Sequence, residues 1–320
     1  MRQVKVKLLR RPIPSNLTDT SPGLPPAVAL VAEPARPPGP LVPLQVGGSL
    51  LPFFCVHDLG GSVGRFKQLA ALLGPDQPFY ALRGSGREGL TAPDDDIERM
   101  AASYLAAVRA VRPHGPYVLG GYCLGGIIAF EMGRQLRAAG EVVAPIMLFE
   151  SYAPPSTMPP FPFWHPYHWP AMLRNLPGWV VDHVLLGPRY TWDRFRMVTL
   201  QLIRQRLARV GRARPPSAPD LVRGAERLPD HHQVIVLAHL RAVRVYNPPP
   251  SDLAVHLFAI RRQSMLRDPD ARRGWHRLAQ RGLTIHRVSG SHHNLLENEH
   301  VPSLARSLRA ALDRVQLSAA

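Results

Sequence analysis

The chain has 320 residues, 45% hydrophobic and 19% charged, which suits a globular protein with a substantial core in one large domain or two modest ones. Its formal net charge is +16, and apart from Lys5, Lys7 and Lys67 the basic side chains are arginines. No helix-turn-helix, zinc-ligand or RNA-recognition pattern accompanies that charge, so it reads as solvated arginine faces or as a docking surface for an acidic protein or a phosphate-bearing arm, not as nucleic-acid binding.

Residues 1 to 48 are proline-rich and aperiodic ("SPGLPPAVALVAEPARPPGPLVP") and read as a tail or linker. The start "MRQVKVKLLRRPIPSNL" lacks the apolar stretch and cleavage site of a secretory signal, and no apolar run approaches the ~18 residues that span a bilayer. Two cysteines, Cys55 and Cys123, cannot form a disulfide framework, so a reducing cytoplasm and no membrane association are expected.

From residue 49 the pattern is alternating. "LPFFCVH" is a strand, and "DLGGSVGRFKQLAALLG" is a glycine turn feeding a helix with Phe66, Leu69, Leu72 and Leu73 on one face. "PFYALRG" is a second strand. "DIERMAASYLAAVRAVRP" is a helix with Met100, Tyr104, Leu105, Val108 and Val111 at helical spacing, ended by Pro113. "PYVLGGY" is a third strand, residues 124–139 are a helix stopped by Gly140, and "VVAPIMLFES" is a fourth strand. Residues 154–232 break the alternation with the cluster "PPSTMPPFPFWHPYHWP" and arginine-rich helical segments. It resumes with "DLAVHLFAI" as strand, "ARRGWHRLAQRG" as helix, "LTIHRVSGSHH" as strand and loop, and "VPSLARSLRAALDRV" as a closing helix. Uniformly apolar strands alternating with helices predict an α/β core over 49–153 and 233–320, its mostly parallel sheet covered on both faces, with 154–232 as a helical lid insertion.

The stretch "YVLGGYCLGGIIAF" has the form Gly-x-nucleophile-x-Gly between strand and helix, with Cys123 in the nucleophile position. In such a corner the nucleophile takes a strained backbone conformation, and its neighbours two positions away pass too close for a Cβ, hence Gly121 and Gly125. The helix N-terminus favours thiolate, and the N–H of Leu124 faces a developing oxyanion. Cys55, mid-strand, reads as inert core. A catalytic thiol needs a base. "RVSGSHHNLL" follows the last strand, so His292 and the adjacent His293 are the histidines in place for it. The orienting acid leaves the carboxyl end of another strand: Glu150 after "PIMLF", with Asp268 in "RRQSMLRDPD" as competitor. His57 reads as a structural hydrogen-bonding residue of its loop.

Residues 51–153 and 240–315 resemble the thioesterase domains that release chains from polyketide synthase and non-ribosomal peptide synthetase assembly lines. The resemblance rests on "FFCVHDLGGSVGRF", "YVLGGYCLGGIIAFEMGRQL", "LRAVRVYNP" and "GWHRLAQRGLTIHRVSGSHHNLLENEHV". It implies the α/β-hydrolase fold, Cys123 as acylated nucleophile, His292 as general base, Glu150 as acid, and the backbone N–H groups of Leu59 and Leu124 as oxyanion donors. The sequence departs from that family in having Cys for Ser at 123, Glu for Asp at 150, and Ser291 in place of the Asp that precedes the histidine. Dienelactone hydrolases share a "GYCLGG"-like corner and a cysteine nucleophile, but they are compact, with the histidine much closer to the nucleophile. An acyl-binding pseudoenzyme is the third reading.

What the thioesterase resemblance implies is a ping-pong acyl transfer. An acyl or peptidyl chain arrives on the phosphopantetheine arm of a carrier protein, passes to Cys123, and leaves by cyclisation, transfer to an amine or alcohol, or hydrolysis. No bound cofactor and no metal are expected. The aromatic stretch 160–170 is expected to wall an acyl channel or to pack on itself. Arg189, Arg194, Arg196, Arg204, Arg206 and Arg209 beside it would meet the phosphate or an acidic carrier helix, or form a solvated helix face. Without a carrier attachment motif in the chain, it is expected to be a freestanding enzyme or a domain cut from a megasynthase.

Overall fold

Seven strands make one sheet in the computed structural model, which describes residues 39–87, 92–154, 229–260, 270–292 and 294–319 and isolated positions between 166 and 199. In chain order they are β1 (Leu41–Gln45), β2 (Phe53–Val56), β3 (Phe79–Leu82), β4 (Val118–Tyr122), β5 (Ile146–Phe149), β6 (Val255–Ile260) and β7 (Leu283–Val288). They lie side by side as β1-β3-β2-β4-β5-β6-β7, with every pairing parallel except β1 on β3. This is the α/β-hydrolase fold, a mostly parallel sheet with helices on both faces.

Alternation along the strands decides which layer each side chain joins. Phe54 and Val56 of β2 share a cluster with Leu119 of β4 and with helices α2 (Ile97–Val111) and α3 (Leu124–Ala138). Phe53 and Cys55 face the other way, to α1 (Lys67–Leu72) and α5 (Val301–Ala319), among Phe79, Phe149, Leu304 and Leu308. The central strands are buried throughout because both faces are covered. Helix α2 starts where the Asp96 carboxylate accepts the Arg99 N–H at 2.8 Å, and α3 stops before Gly140, whose φ is +80°.

Three expectations change. Leu41–Gln45, read as tail, is an edge strand: Pro43 is tolerated there because an edge does not need every N–H, and Leu41, Val42 and Leu44 pack on the two cores. Residues 271–282, read as a helix, form turns with one short 3-10 segment at Trp275–Arg277, because Arg273 and Gly274 both take positive φ (51° and 80°). Leu72 points outward, since Phe66, Leu69 and Leu73 make the buried stripe at helical spacing and Leu72 falls off it; Val111, in the last turn of α2, is exposed too.

Helix α4 (Asp230–Val245) precedes β6 in the chain and buries Ile235, Val236, Ala238, His239 and Ala242. Most of 154–232, with its aromatic stretch and arginines, lies outside the described residues; Trp169 and Arg196 are helical and exposed. Among the described residues no helix is long and apolar enough to cross a membrane.

Candidate active site

The carboxyl ends of β4, β5 and β7 and the start of α3 meet at one edge of the sheet. Cys123 lies between β4 and α3 with φ 57° and ψ −114°, a conformation that strains any residue with a Cβ. Its N–H donates to Phe149 O at 2.9 Å, and its carbonyl accepts the Gly126 N–H at 3.2 Å, so strand and helix both fix the corner. Close approach requires the flanking glycines. A Cβ on Gly121 would lie 2.2 Å from the backbone of Gly125, and one on Gly125 would lie 2.3 Å from the carbonyl oxygens of Val56 and His57. Cys123 itself is half-buried.

Glu150 is the first residue after β5, also at positive φ (48°), and is buried. Its Oε1 accepts the Ile260 N–H at 2.7 Å and an Arg273 Nη2–H at 2.5 Å, while Oε2 faces His292 Nδ1 at 3.5 Å. Burial alone would raise this carboxyl, but the contact with His292, the Arg273 charge and the Ile260 N–H outweigh it and hold the group at about 2. His292 follows β7 in a turn where Asn294 Oδ1 accepts the Ser291 N–H and hydroxyl at 2.6 and 2.8 Å. Ser291, one of the three departures noted in the sequence, is thus part of the turn that carries the histidine. The His292 ring stacks on Tyr122, centroids 5.4 Å apart, and its carbonyl accepts the Tyr122 hydroxyl. Burial and the adjacent Cys123 push the Tyr122 phenol up. Tyr122, the residue before the thiol, therefore ties the end of β4 to the histidine.

The structure brings Glu150 and His292 into contact; Asp268 and His293 lie outside the described residues. Leu59 sits in the loop after β2, where Asp58 Oδ1 accepts the Gly60 and Ser62 N–H groups at 2.9 and 3.1 Å. The Leu59 carbonyl is held at 2.8 Å by His239 Nδ1 from α4. Leu124, the first residue of α3, precedes Gly125, which touches the end of β2, so the loop and the helix start border one corner. His57 is fully buried: Nε2 lies 2.7 Å from Tyr104 Oη, Nδ1 lies 2.6 Å from Asp58 O, and the ring stacks on His239. Burial, with His239 beside it, lowers His57 to about 3, so it is a neutral strut under the loop. Cys55 is buried, and burial raises its thiol well above the ordinary range.

Arg273, His239 and Tyr122 were not singled out by the sequence. His239 carried a readable signal, being flanked on α4 by the buried Ile235, Val236, Ala238 and Ala242. Arg273 had none: it is one of several arginines in a segment whose pattern looked helical. Among the described residues no group of three His, Cys, Asp or Glu side chains is placed to hold a metal ion.

Residues 51–159 match the family model described as the thioesterase domain. Over that stretch, about a third of its length, the chain is similar to thioesterase domains. It is similar to an atromentin synthetase of Paxillus involutus, invA1, 29% identical over 96% of this chain and 31% of that protein. It is also similar to the nonribosomal peptide synthetase btyA of Aspergillus terreus, 28% identical over 86% of this chain and 29% of that protein. The chain thus spans about a third of the length of these curated relatives. Among solved structures, the NocB thioesterase domain in covalent complex with a fluorophosphonate nocardicin G analog aligns over 85% of this chain and 99% of its own. The TM-score there is 0.56 and the identity 24%. The type II thioesterase BorB from the borrelidin cluster aligns over 85% and 97%, with a TM-score of 0.56 and 21% identity. These two likenesses concern the fold of the thioesterase domain.

Proposed function

We propose that this thioesterase domain releases an acyl or peptidyl chain from the phosphopantetheine thioester of a carrier protein through an acyl–Cys123 intermediate. The observation that carries the reading is a carboxylate-backed histidine beside a strained nucleophile elbow: His292 Nδ1 at 3.5 Å from Glu150 Oε2, stacked on the residue preceding Cys123. The carrier-bound substrate is taken from the resemblance to synthetases that carry such domains.

In the first half-reaction the Cys123 thiol proton passes to His292 Nε2 and Sγ bonds to the thioester carbonyl carbon. The N–H groups of Leu59 and Leu124 receive the negative charge on the carbonyl oxygen. The carbon–sulfur bond to pantetheine then breaks, and the imidazolium proton goes to the departing thiolate. In the second half, His292 takes a proton from the acceptor, the acceptor's oxygen or nitrogen bonds to the carbonyl carbon, the carbon–Sγ bond breaks, and the imidazolium returns its proton to Sγ. Glu150 fixes the tautomer with Nδ1–H toward the carboxylate and stabilises the imidazolium.

Cysteine alters the intermediate. A serine ester lies downhill from a thioester, whereas an acyl–Cys123 thioester is close in energy to the one that arrived and stays activated for its acceptor. Thiolates also leave readily. We therefore assign the second step to an acceptor harder to use than bulk water, an amine or an alcohol, whether within the chain (cyclisation) or from another molecule, with hydrolysis as the competing outcome.

Intact mass spectrometry with a panel of acyl thioesters, followed by water, amine and alcohol acceptors, tests this. An acyl adduct on Cys123, absent in Cys123→Ala and discharged faster by an amine or alcohol than by water, is the expected result. Thioester turnover that survives Cys123→Ala defeats the reading, and turnover of small unsaturated lactones in place of thioesters favours a lactone hydrolase.

A further inference from the structure

Among the described residues only three non-glycine positions have positive φ: Cys123, Glu150 and Arg273, at 57°, 48° and 51°. Backbone strain of this kind persists where the surroundings enforce it, and it clusters at functional sites. Two of the three are already in the proposed acyl-transfer site, and the third touches it directly. Arg273 follows β6 by thirteen residues and is completely buried. Its backbone is clamped from both sides: its N–H donates to Asp270 O at 2.9 Å and its carbonyl accepts the Ala153 N–H at 2.9 Å. The guanidinium lies over the Tyr152 ring, 4.6 Å from its centroid, and Nη2 donates to Glu150 Oε1 at 2.5 Å. The opposite oxygen of that carboxylate faces His292. One carboxylate is thus shared between a permanent cation and the imidazole.

Sharing has a chemical consequence. A triad carboxylate makes its histidine more basic by stabilising the imidazolium, and a serine hydroxyl needs a strongly basic partner because it ionises with great difficulty. A thiol ionises near neutrality and does not. A guanidinium on the same carboxylate withdraws part of that stabilisation and adds a like charge behind the imidazolium. We infer that Arg273 is a positioning residue that aims Glu150 at His292 and, by dividing the carboxylate's charge, holds the imidazole at a basicity matched to the Cys123 thiol instead of a serine hydroxyl. The inference rests on the reading of Cys123 and His292 given above.

The groups facing this pair come from several elements. Arg273 and the Ile260 N–H meet Glu150; the Tyr122 ring stacks on His292; Arg65 stands over the Tyr122 ring at 5.6 Å, and Cys123 and Asp58 act on Tyr122 through their charge. All except Arg273 are unchanged in the Arg273 variants whose His292 titration is compared.

The test measures the His292 titration by NMR in protein carrying labelled histidine, assigned with His292→Asn, together with the pH profile of Cys123 alkylation. Removing the cation in Arg273→Gln raises the His292 midpoint by about one pH unit, since an opposite or like charge at this range moves a pKa by about 1–3 units. Arg273→Lys, which keeps the charge, stays within about 0.3 of wild type. A merely structural role would move Lys and Gln variants equally, and that result, or a folded Arg273→Gln with an unmoved midpoint, overturns the inference. Should Arg273→Gln not fold, Tyr152→Leu removes the ring on which the guanidinium rests and shifts the midpoint upward by a smaller amount; no shift there is equally fatal. In the Cys123→Ser background, adding Arg273→Gln raises the acylation rate about threefold, as one added unit of basicity does at a Brønsted slope near one half. A wild-type protein that never acylates on Cys123 defeats the catalytic reading, while the NMR titration still decides whether Arg273 tunes His292.

Discussion

Gly121→Ala should be the most costly single methyl in the elbow. The added Cβ would lie 2.2 Å from the carbonyl carbon and oxygen of Gly125 and 2.7 Å from Gly126 N, and all three are backbone atoms that no rotamer change can move aside. To reach even 3.0 Å, α3 must shift by about 0.8 Å relative to β4, and overpacking of that order costs about 3 kcal/mol. Two controls separate contact from conformation. At Gly140 an added Cβ meets nothing within 4 Å but φ is +80°, so Gly140→Ala carries only left-handed strain, about 1–2 kcal/mol. At Gly64 there is neither a contact nor a positive φ, so Gly64→Ala is neutral or stabilising by about 0.5 kcal/mol. Urea unfolding of the three variants gives the order, and the rate of Cys123 alkylation reports the corner: it changes in Gly121→Ala alone. A Gly121→Ala protein no less stable than Gly140→Ala would show that strand and helix are not locked at the elbow as described.

Other perturbations follow from buried ionisable groups. With the Glu150 carboxyl held at about 2 against an ordinary 4.5, its interactions contribute roughly 3 kcal/mol that is present above pH 4.5 and lost as pH falls toward 2. Acid titration of stability should therefore be flatter in that window for Glu150→Gln than for wild type; parallel curves refute the pairing. Iodoacetamide on the native protein should label Cys123 and spare Cys55 until unfolding, read by peptide mass, because Cys55 is buried and burial raises its thiol. Tyr104→Phe strips the hydroxyl at 2.7 Å from the buried His57 Nε2 and should cost about 1–3 kcal/mol in thermal or urea unfolding; a neutral effect would mean that His57 finds another partner.

The central sheet was legible because parallel strands covered on both faces must be apolar, and β2, β4 and β5 carry no charged residue, while β6 departs only at His256. The elbow was legible for a different reason: Gly121 and Gly125 are forced by backbone contacts that any chain making this corner must have, so the spacing itself carries the geometry. Edge strand β1 was hidden because an edge relaxes the rules that identify strands. Pro43 costs nothing where one side needs no hydrogen bonds, and a five-residue run amid prolines looks like a linker.

Arg273 was hidden for a deeper reason. Periodicity reports which faces are apolar, and an arginine inside "DARRGWHRLAQRG" fits a solvated helix face. What draws it inward is a pair of positive φ angles at Arg273 and Gly274, anchored by Asp270 and Ala153, and a carboxylate contributed 123 positions earlier. Neither the dihedrals nor the partner is written near the residue. A buried charge is tolerable only with a partner, so Glu150 and Arg273 each make sense only once both are placed. The same dependence runs through the site: Glu150, one carbon longer than an aspartate, must satisfy Ile260, Arg273 and His292 at once with two oxygens. Acid, cation and thiol then form one coupled set, and changing Cys123 alone to serine leaves an imidazole whose basicity is still set by Arg273.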